Sequence, residues 1–323
     1  MDMLKAIGIL LVGFVLLIKG ADFFVEGSSA VAKKLRIPSM IVGLTIVAIG
    51  TSMPELAVSI SASLASNNEI AISNVVGSNI FNLLVVCGAC SLFAPLAVSK
   101  STLKIDFPLA MGCGILLLGM CFLGSNVNRV EGLVLLTLFI IYISVLVRQA
   151  LKARANVGMD EEKEEKSKEI PVWLCVIYIV GGIAAIKFGG DFVVDSASTI
   201  ATKVGMSSTL VGLTVVAVGT SLPELVTSVV ASRKGEVDMA FGNVIGSNVC
   251  NVLFILGMSG AISPMSVIKD NIVDVIVLIV VSVIAYVFVR SEQKLVKKEG
   301  IVMLVIYVAY MAYACVRGLG ILA

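Results

Sequence analysis

With 323 residues, 58% of them hydrophobic and only 14% charged, and a mean hydropathy of +1.05, the chain is far more apolar than a water-soluble globule, which carries about 25% charged residues. Composition reads as an integral membrane protein: a hydrocarbon core of ~30 Å takes about 20 helical residues per crossing, which leaves room for roughly ten spans. A net charge of +2 gives no reason to expect a nucleic-acid partner, and with no histidine in the chain, imidazole proton relays and histidine metal sites are excluded.

In chain order, the apolar runs at 5–32, 39–64, 70–95, 106–124 and 130–149 predict five helices, and those at 171–200, 208–232, 237–262, 271–290 and 299–317 predict five more. The first run, with Lys5 ahead of it and Ala30-Val31-Ala32 behind, imitates a secretory signal, but Asp22 and Glu26 interrupt it and a later segment matches it, so a retained helix is expected. Between the two sets, the Asp160-Glu161-Glu162-Lys163-Glu164-Glu165-Lys166 run reads as a solvated linker without a site of its own. The expected organisation is a first five-helix unit at 1–150, a charged linker at 151–170 and a second unit at 171–323. Most of the seven cysteines lie in apolar runs and read as packing residues; Cys87 and Cys90 have the spacing of half a zinc site without a second half.

The second and seventh helices carry one stretch twice. Gly43-Leu44-Thr45-Ile46-Val47-Ala48-Ile49-Gly50-Thr51-Ser52-Met53-Pro54-Glu55 returns 169 residues later as Gly212-Leu213-Thr214-Val215-Val216-Ala217-Val218-Gly219-Thr220-Ser221-Leu222-Pro223-Glu224, identical at ten of thirteen positions. At the same offset Asp22-Phe23 matches Asp191-Phe192 and Glu26 matches Asp195, so the repeat covers whole halves. Five helices is an odd number, so the second half enters the membrane upside down relative to the first, giving an all-α membrane fold of ten helices in two inverted five-helix repeats. An outside N-terminus puts Lys33, Lys34, Arg36, Lys100, Lys104, Arg148, Lys152, Arg154, Arg233, Lys234, Arg290, Lys294, Lys297, Lys298 and the linker lysines in the cytoplasm. Lys5, Arg129, Lys203, Lys269 and Arg317 remain outside, and the positive-inside rule favours this orientation, with the plasma (inner) membrane as location, both termini outside and a cytoplasmic linker.

Pro54 and Pro223 lack the N–H that would bond Gly50 and Gly219, so each helix is expected to break in mid-membrane and free carbonyls around Ala48, Gly50 and Thr51, and around Ala217, Gly219 and Thr220. Beyond the break, Ser52, Glu55 and Ser59 share one helix face, as do Ser221, Glu224 and Ser228. The next helices carry Asn74, Ser78 and Asn82, and Asn243, Ser247 and Asn251, every fourth residue. Hydroxyl, amide and carboxylate oxygens without sulfur or imidazole suit a hard cation such as Ca2+ or Na+ rather than zinc or copper. Gly77, Gly246, Ser59 and Ser228 read equally well as small residues that let helices approach. Glu55 and Glu224 do not, because a carboxylate at the bilayer centre costs on the order of 3 kcal/mol. Asp22, Glu26, Asp191 and Asp195 fall near helix ends and suit packing, gating or surface roles, with Lys19 and Lys187 as neighbours.

At these residues the chain resembles the sodium/calcium exchanger family of the cation/Ca2+ antiporter superfamily: two Gly-Thr-Ser-x-Pro-Glu motifs, each followed by Gly-Ser-Asn-x-x-Asn, look like its alpha-repeats. The resemblance implies helices 2, 3, 7 and 8 around one site. It implies Ca2+ on Glu55, Glu224 and the carbonyls of Thr51 and Thr220, and Na+ on the same glutamates with Ser52, Ser78, Ser221, Ser247 and the carbonyls of Ala48 and Ala217. Asn82 and Asn251 border the central position. Some relatives, potassium-dependent ones among them, have aspartate where Asn251 stands, so a potassium requirement is not expected. The linker is too short for a large regulatory Ca2+-sensing domain. No cofactor and no obligate protein partner are implied beyond membrane lipid and the transported Ca2+ and Na+.

Physical reasoning gives antiport independently. Two buried carboxylates are neutralised by one Ca2+, whereas an empty dianionic site is costly to occlude in low dielectric, so Na+ or protons on overlapping oxygens must discharge it instead. A Na+/Ca2+ antiporter and a Ca2+/H+ or other cation/H+ antiporter both satisfy this. A channel would pass ions without a counter-ion, and an acid-pair intramembrane hydrolase, the one enzyme reading, would want aspartates in other motif contexts.

Overall fold

In a computed structural model, which describes residues 2–65, 69–123, 126–157 and 170–319, the chain forms ten long helical segments. These are α1 (Met3–Leu35), α2 (Ser39–Thr51 and Met53–Leu64), α3 (Ala71–Phe93), α4 (Lys100–Phe122), α5 (Arg129–Ala155), α6 (Val172–Lys203), α7 (208–220 and Leu222–Arg233), α8 (Val237–Ile262), α9 (Lys269–Glu292) and α10 (Lys297–Gly318). All ten expected spans are found, most of them longer by a few residues. The charged run of the linker lies outside the described residues.

Two helices are broken. α2 bends by 47° between Thr51 and Met53, and α7 by 51° between Thr220 and Leu222. The interruption is one residue, Ser52 (φ −81°, ψ 7°) or Ser221 (φ −94°, ψ 7°), with Pro54 and Pro223 in the first turn of the helix that follows. Proline is tolerated there because a first-turn N–H has no helical partner to lose. The expectation of freed carbonyls is corrected at Ala48 of α2, whose carbonyl still accepts from the Ser52 N–H at 3.1 Å; in α7 the Ser221 N–H turns to the Val218 carbonyl, at 3.2 Å, and not to Ala217. The extra slack is upstream and downstream instead, in four π-helical turns at Gly43–Val47, Asn82–Val86, Gly212–Val216 and Asn251–Ile255. They occupy equivalent positions of the two repeats, and such turns recur at functional sites.

α2, α3, α7 and α8 form the centre. α5 lies along the second half of α8, α10 along the second half of α3, and α4 packs on α9. Short antiparallel pairings stitch the halves together: β1 (Leu96–Ala97) with β4 (Lys294–Leu295), and β2 (Asn126–Val127) with β3 (Met265–Ser266). α1 and α6 pack on each other so closely that a methyl on Gly20 or Gly182 would come within 3.0 Å of the other's carbonyl oxygen, the small-residue contact that membrane helices use where hydrophobicity drives no association. Among the described residues all seven cysteines are unpaired thiols, six of them buried, in keeping with packing roles.

Candidate functional site

The breaks bring the two repeats together. Glu55 and Glu224 each stand in the first turn after a break and are fully buried. Each is served by the other repeat: Ser52 Oγ donates to Glu224 Oε1 at 3.1 Å, and Ser221 Oγ lies 3.2 Å from Glu55 Oε1. Ser78 Oγ, from α3, is 3.4 Å from the same Glu55 oxygen and 3.0 Å from Ser221 Oγ. Residues 169 positions apart in sequence thus share one mid-bundle centre, as the duplicated stretch predicts.

The helix faces read from sequence are also the inner faces. Asn74 Nδ2 donates to Ser59 Oγ (3.1 Å) and Asn243 Nδ2 to Ser228 Oγ (2.9 Å), so those serines tie α2 to α3 and α7 to α8. Asn82 and Asn251 are fully buried one turn beyond Ser78 and Ser247. Four oxygens around the centre, Glu55 Oε2, Glu224 Oε2, Asn82 Oδ1 and Asn251 Oδ1, are buried with no hydrogen-bond partner among the described residues. Buried acceptors left unmatched cost about 1–3 kcal/mol each, more for a carboxylate, and such a set is the donor environment of an oxygen-loving cation. No group of three or more acidic, cysteine or histidine side chains suited to a metal occurs among the described residues, so the centre has two formal negative charges and otherwise neutral oxygens.

Two site expectations come out unequal between repeats. Thr51 and Ala48 are buried, and Thr51 Oγ1 lies 3.1 Å from Asn243 Oδ1 of α8. Their counterparts Thr220 and Ala217 are half-buried and exposed respectively, and Thr220 Oγ1 lies 3.5 Å from the Ala217 carbonyl oxygen. Ser247 is buried with Oγ 3.5 Å from Asn243 Oδ1, so it is not seated on a carboxylate as Ser78 is. Among the outlying acids, Asp22 and Glu26 pair with Lys234, and Asp191 with Lys187 on its own helix. Asn79 and Asn248 were not singled out by sequence reasoning, although they join α3 to α8; the signal available was their place inside the duplicated Gly-Ser-Asn segment.

A family profile described as "Sodium/calcium exchanger protein" matches residues 5–148 and 174–316. The chain belongs to the sodium/calcium exchanger family. It is 42% identical to the putative antiporter CaxA of Alkalimonas amylolytica over 264 residues, 81% of this chain and 82% of that protein. It is 34% identical to the sodium/calcium exchanger MaX1 of Methanosarcina acetivorans over 341 aligned positions, covering 94% and 96% of the two chains. A solved structure of the sodium-calcium exchanger NCX_Mj, soaked with 10 mM Na+ and 10 mM Sr2+, superposes with a TM-score of 0.83 at 30% identity, covering 96% of this chain and 99% of that one. This family member is accordingly a multi-pass membrane transporter of the antiporter type rather than an enzyme, with two inverted five-helix repeats.

Proposed function

We propose that this family member exchanges Ca2+ for Na+ by alternating access at a site built on Glu55 and Glu224. The observation that carries the reading is the set of four buried, unpartnered oxygens from Glu55, Glu224, Asn82 and Asn251 at the crossing of α2, α3, α7 and α8. One Ca2+ on the two carboxylates, with the carbonyls of Thr51 and Thr220, cancels their charge. Na+ ions on the same carboxylates, with Ser52, Ser78, Ser221 and Ser247 and the carbonyls of Ala48 and Ala217, cancel it in a different arrangement. Because the oxygens are shared, the two loads exclude each other, and this competition couples their movement. If three Na+ cross per Ca2+, one net charge moves per cycle, worth about 2.3 kcal/mol per 100 mV, so the membrane potential assists Ca2+ expulsion.

The orientation proposed is N-terminus and C-terminus outside and residues 151–170 in the cytoplasm of a plasma (inner) membrane, with repeats at 1–150 and 171–323. The basic residues support it, and Arg317, left on the outside, is neutralised by Asp274 at 2.7 Å and Asp270 at 3.4 Å. The deciding experiment is 45Ca2+ movement in proteoliposomes under imposed Na+, H+ or K+ gradients. A Na+ gradient alone should drive accumulation in choline medium. Uptake that follows a proton gradient and ignores Na+ would replace this reading with Ca2+/H+ exchange.

A further inference from the structure

We propose that Asn79 and Asn248, which bind no ion themselves, are positioning residues that decide which atom of Asn82 and Asn251 faces the transported cation. The inference rests on the two-glutamate reading above and adds a device that the reading does not contain. A carboxamide has almost the same shape either way round, yet one end is an acceptor and the other an NH2 that a cation repels. Something must fix the choice.

Two backbone carbonyls fix it, because a carbonyl can only accept. Asn79 Nδ2 donates to the Asn248 carbonyl at 3.1 Å, which turns Asn79 Oδ1 the other way; that oxygen accepts from Asn251 Nδ2 at 2.9 Å. With its nitrogen so engaged, Asn251 has Oδ1 left over, buried and unpartnered. The mirror path runs through the other repeat. Asn248 Nδ2 donates to the Asn79 carbonyl at 3.3 Å, Asn248 Oδ1 accepts from Asn82 Nδ2 at 3.2 Å, and Asn82 Oδ1 is the atom left unpartnered. All four side chains are at most 4% exposed, so bulk water offers no substitute partner. The relay passes from α3 to α8 and back, with Asn79 and Asn248, like Asn82 and Asn251, 169 residues apart. Its output is two neutral, unpartnered oxygens, one helical turn from Ser78, which reaches Glu55, and from its counterpart Ser247.

A double-mutant cycle tests it. Ca2+ affinity is read from the Ca2+-induced rise in unfolding temperature of the purified full-length protein, and the KM for Ca2+ from sodium-driven flux. Asn79→Ala frees the Asn251 amide to turn, and affinity should fall about tenfold, the loss expected from one misdirected buried ligand. In an Asn251→Asp background an oxygen faces the ion whichever way the group turns, so the same Asn79→Ala should then cost less than about threefold. Asn248→Ala with Asn82→Asp gives the mirrored cycle. Equal losses in both backgrounds, or no loss from either alanine, would overturn the proposal, since a mere packing defect is not cured by a ligand that has no wrong way round. If neither alanine variant folds, a Ca2+-loaded structure of the wild type decides: both the Asn251–Asn79 and Asn82–Asn248 side-chain contacts must persist within hydrogen-bond distance. Glu55→Gln and Glu224→Gln run alongside. Exchange surviving in those would sink the glutamate site itself, whereas exchange lost there with additive asparagine variants sinks only the relay.

Discussion

The two repeats carry nearly the same signature stretch in two packings. The first half of α2 is pressed against the first half of α8: a methyl on Gly43 would sit 2.6 Å from the Met239 carbonyl oxygen, and one on Gly246 would sit 2.7 Å from Leu44 Cα. The equivalent seam, between the first half of α7 and the start of α3, is open, and a methyl on Gly212 or on Gly77 would meet nothing within 4 Å. Thr51 is correspondingly sealed and Thr220 is not. Gly43 and Gly246 have glycine counterparts in Gly212 and Gly77, so these glycines alone do not dictate the packing; Gly242, where a methyl would lie 2.7 Å from the Met40 carbonyl oxygen, is replaced by Ser73 in the open seam. In this conformer one seam is shut and the other is open. With the proposed orientation the shut seam faces the cytoplasm and the open one faces outside.

The comparison breaks first at the point both seams share. Glu55→Gln and Glu224→Gln each remove one of the two charges that Ca2+ binding requires while keeping side-chain shape. Although the surroundings of the two differ, both variants should lose sodium-driven Ca2+ exchange by more than about a hundredfold, the scale of a lost charged ligand in low dielectric. Unfolding temperature without Ca2+ should not fall, and the stabilisation that Ca2+ gives the wild type should disappear. Normal flux in either variant would remove that glutamate from the site.

How much of this was legible in the sequence follows from what duplication can and cannot encode. The ten helices, the breaks near Pro54 and Pro223 and the pairing of Glu55 with Glu224 were all readable, because hydropathy and a repeated polar stretch act within a segment or between its copies. The unequal seams were not read from the sequence, although one mark of them is there: Gly242 of the shut seam has Ser73 at its repeat position. Nor were the four π turns of α2, α3, α7 and α8, or the Asn79–Asn248 clasp, which exists only once α3 and α8 touch. The break was expected to free carbonyls around Ala48, Gly50 and Thr51; the Ala48 carbonyl keeps its partner, because the interruption is one residue, Ser52, and a first-turn proline readily restarts the helix.

A glycine pair sharpens the comparison next. Gly246→Ala puts a methyl into backbone contact in the shut seam, and should lower stability by about 1–3 kcal/mol, as overpacking does. Gly77→Ala has open space and a helix-propensity gain of up to about 1 kcal/mol over glycine, so this conformer should be undamaged or slightly stabilised. Both should nevertheless cut transport by about tenfold or more, because each seam must shut in its turn. Thermal unfolding and flux measured on the same preparations check this. Full transport by Gly77→Ala would mean that the α7–α3 seam never closes as its counterpart does.

Asn251→Asp tests the balance of charge at the centre that both seams enclose. The wild type, with amides at both Asn82 and Asn251, needs no further monovalent cation to neutralise bound Ca2+ on its two glutamates. Flux should be equal in choline and potassium media. A third carboxylate in the same low-dielectric cavity leaves one charge unbalanced, to be met by K+ or a proton. Transport by the variant should change several-fold with K+ or with pH between about 5 and 8. A wild type that fails without potassium, or a variant that matches wild type in every medium, would contradict the assignment.

The smallest expected effect lies at the end of the shut seam. Lys234, just after α7, sits 2.6 Å from Asp22 Oδ1 and 3.7 Å from Glu26 Oε2 of α1, and two residues on, Glu236 accepts from Ser29 of α1 and, at 3.0 Å, from Ser39 at the start of α2. These contacts strap α1 and α2 to the α7–α8 connection while that seam is closed. The other end lacks the lysine: the repeat position of Lys234 is Ala65, while the acids it would meet, Asp191 and Asp195, are present. Partly exposed ion pairs contribute about 0–1 kcal/mol, so the strap biases the two conformers by no more than about fivefold. Lys234→Ala should therefore shift the equilibrium away from the form with this seam shut, lowering apparent Ca2+ affinity from outside and raising it from the cytoplasmic side, each by less than about fivefold and less so at high salt. Ala65→Lys, which offers the opposite seam the same strap, should shift both affinities the other way. Affinities measured on right-side-out and inside-out vesicles decide; movement of both variants in one direction would show that the lysine acts through surface charge alone and not through the seam.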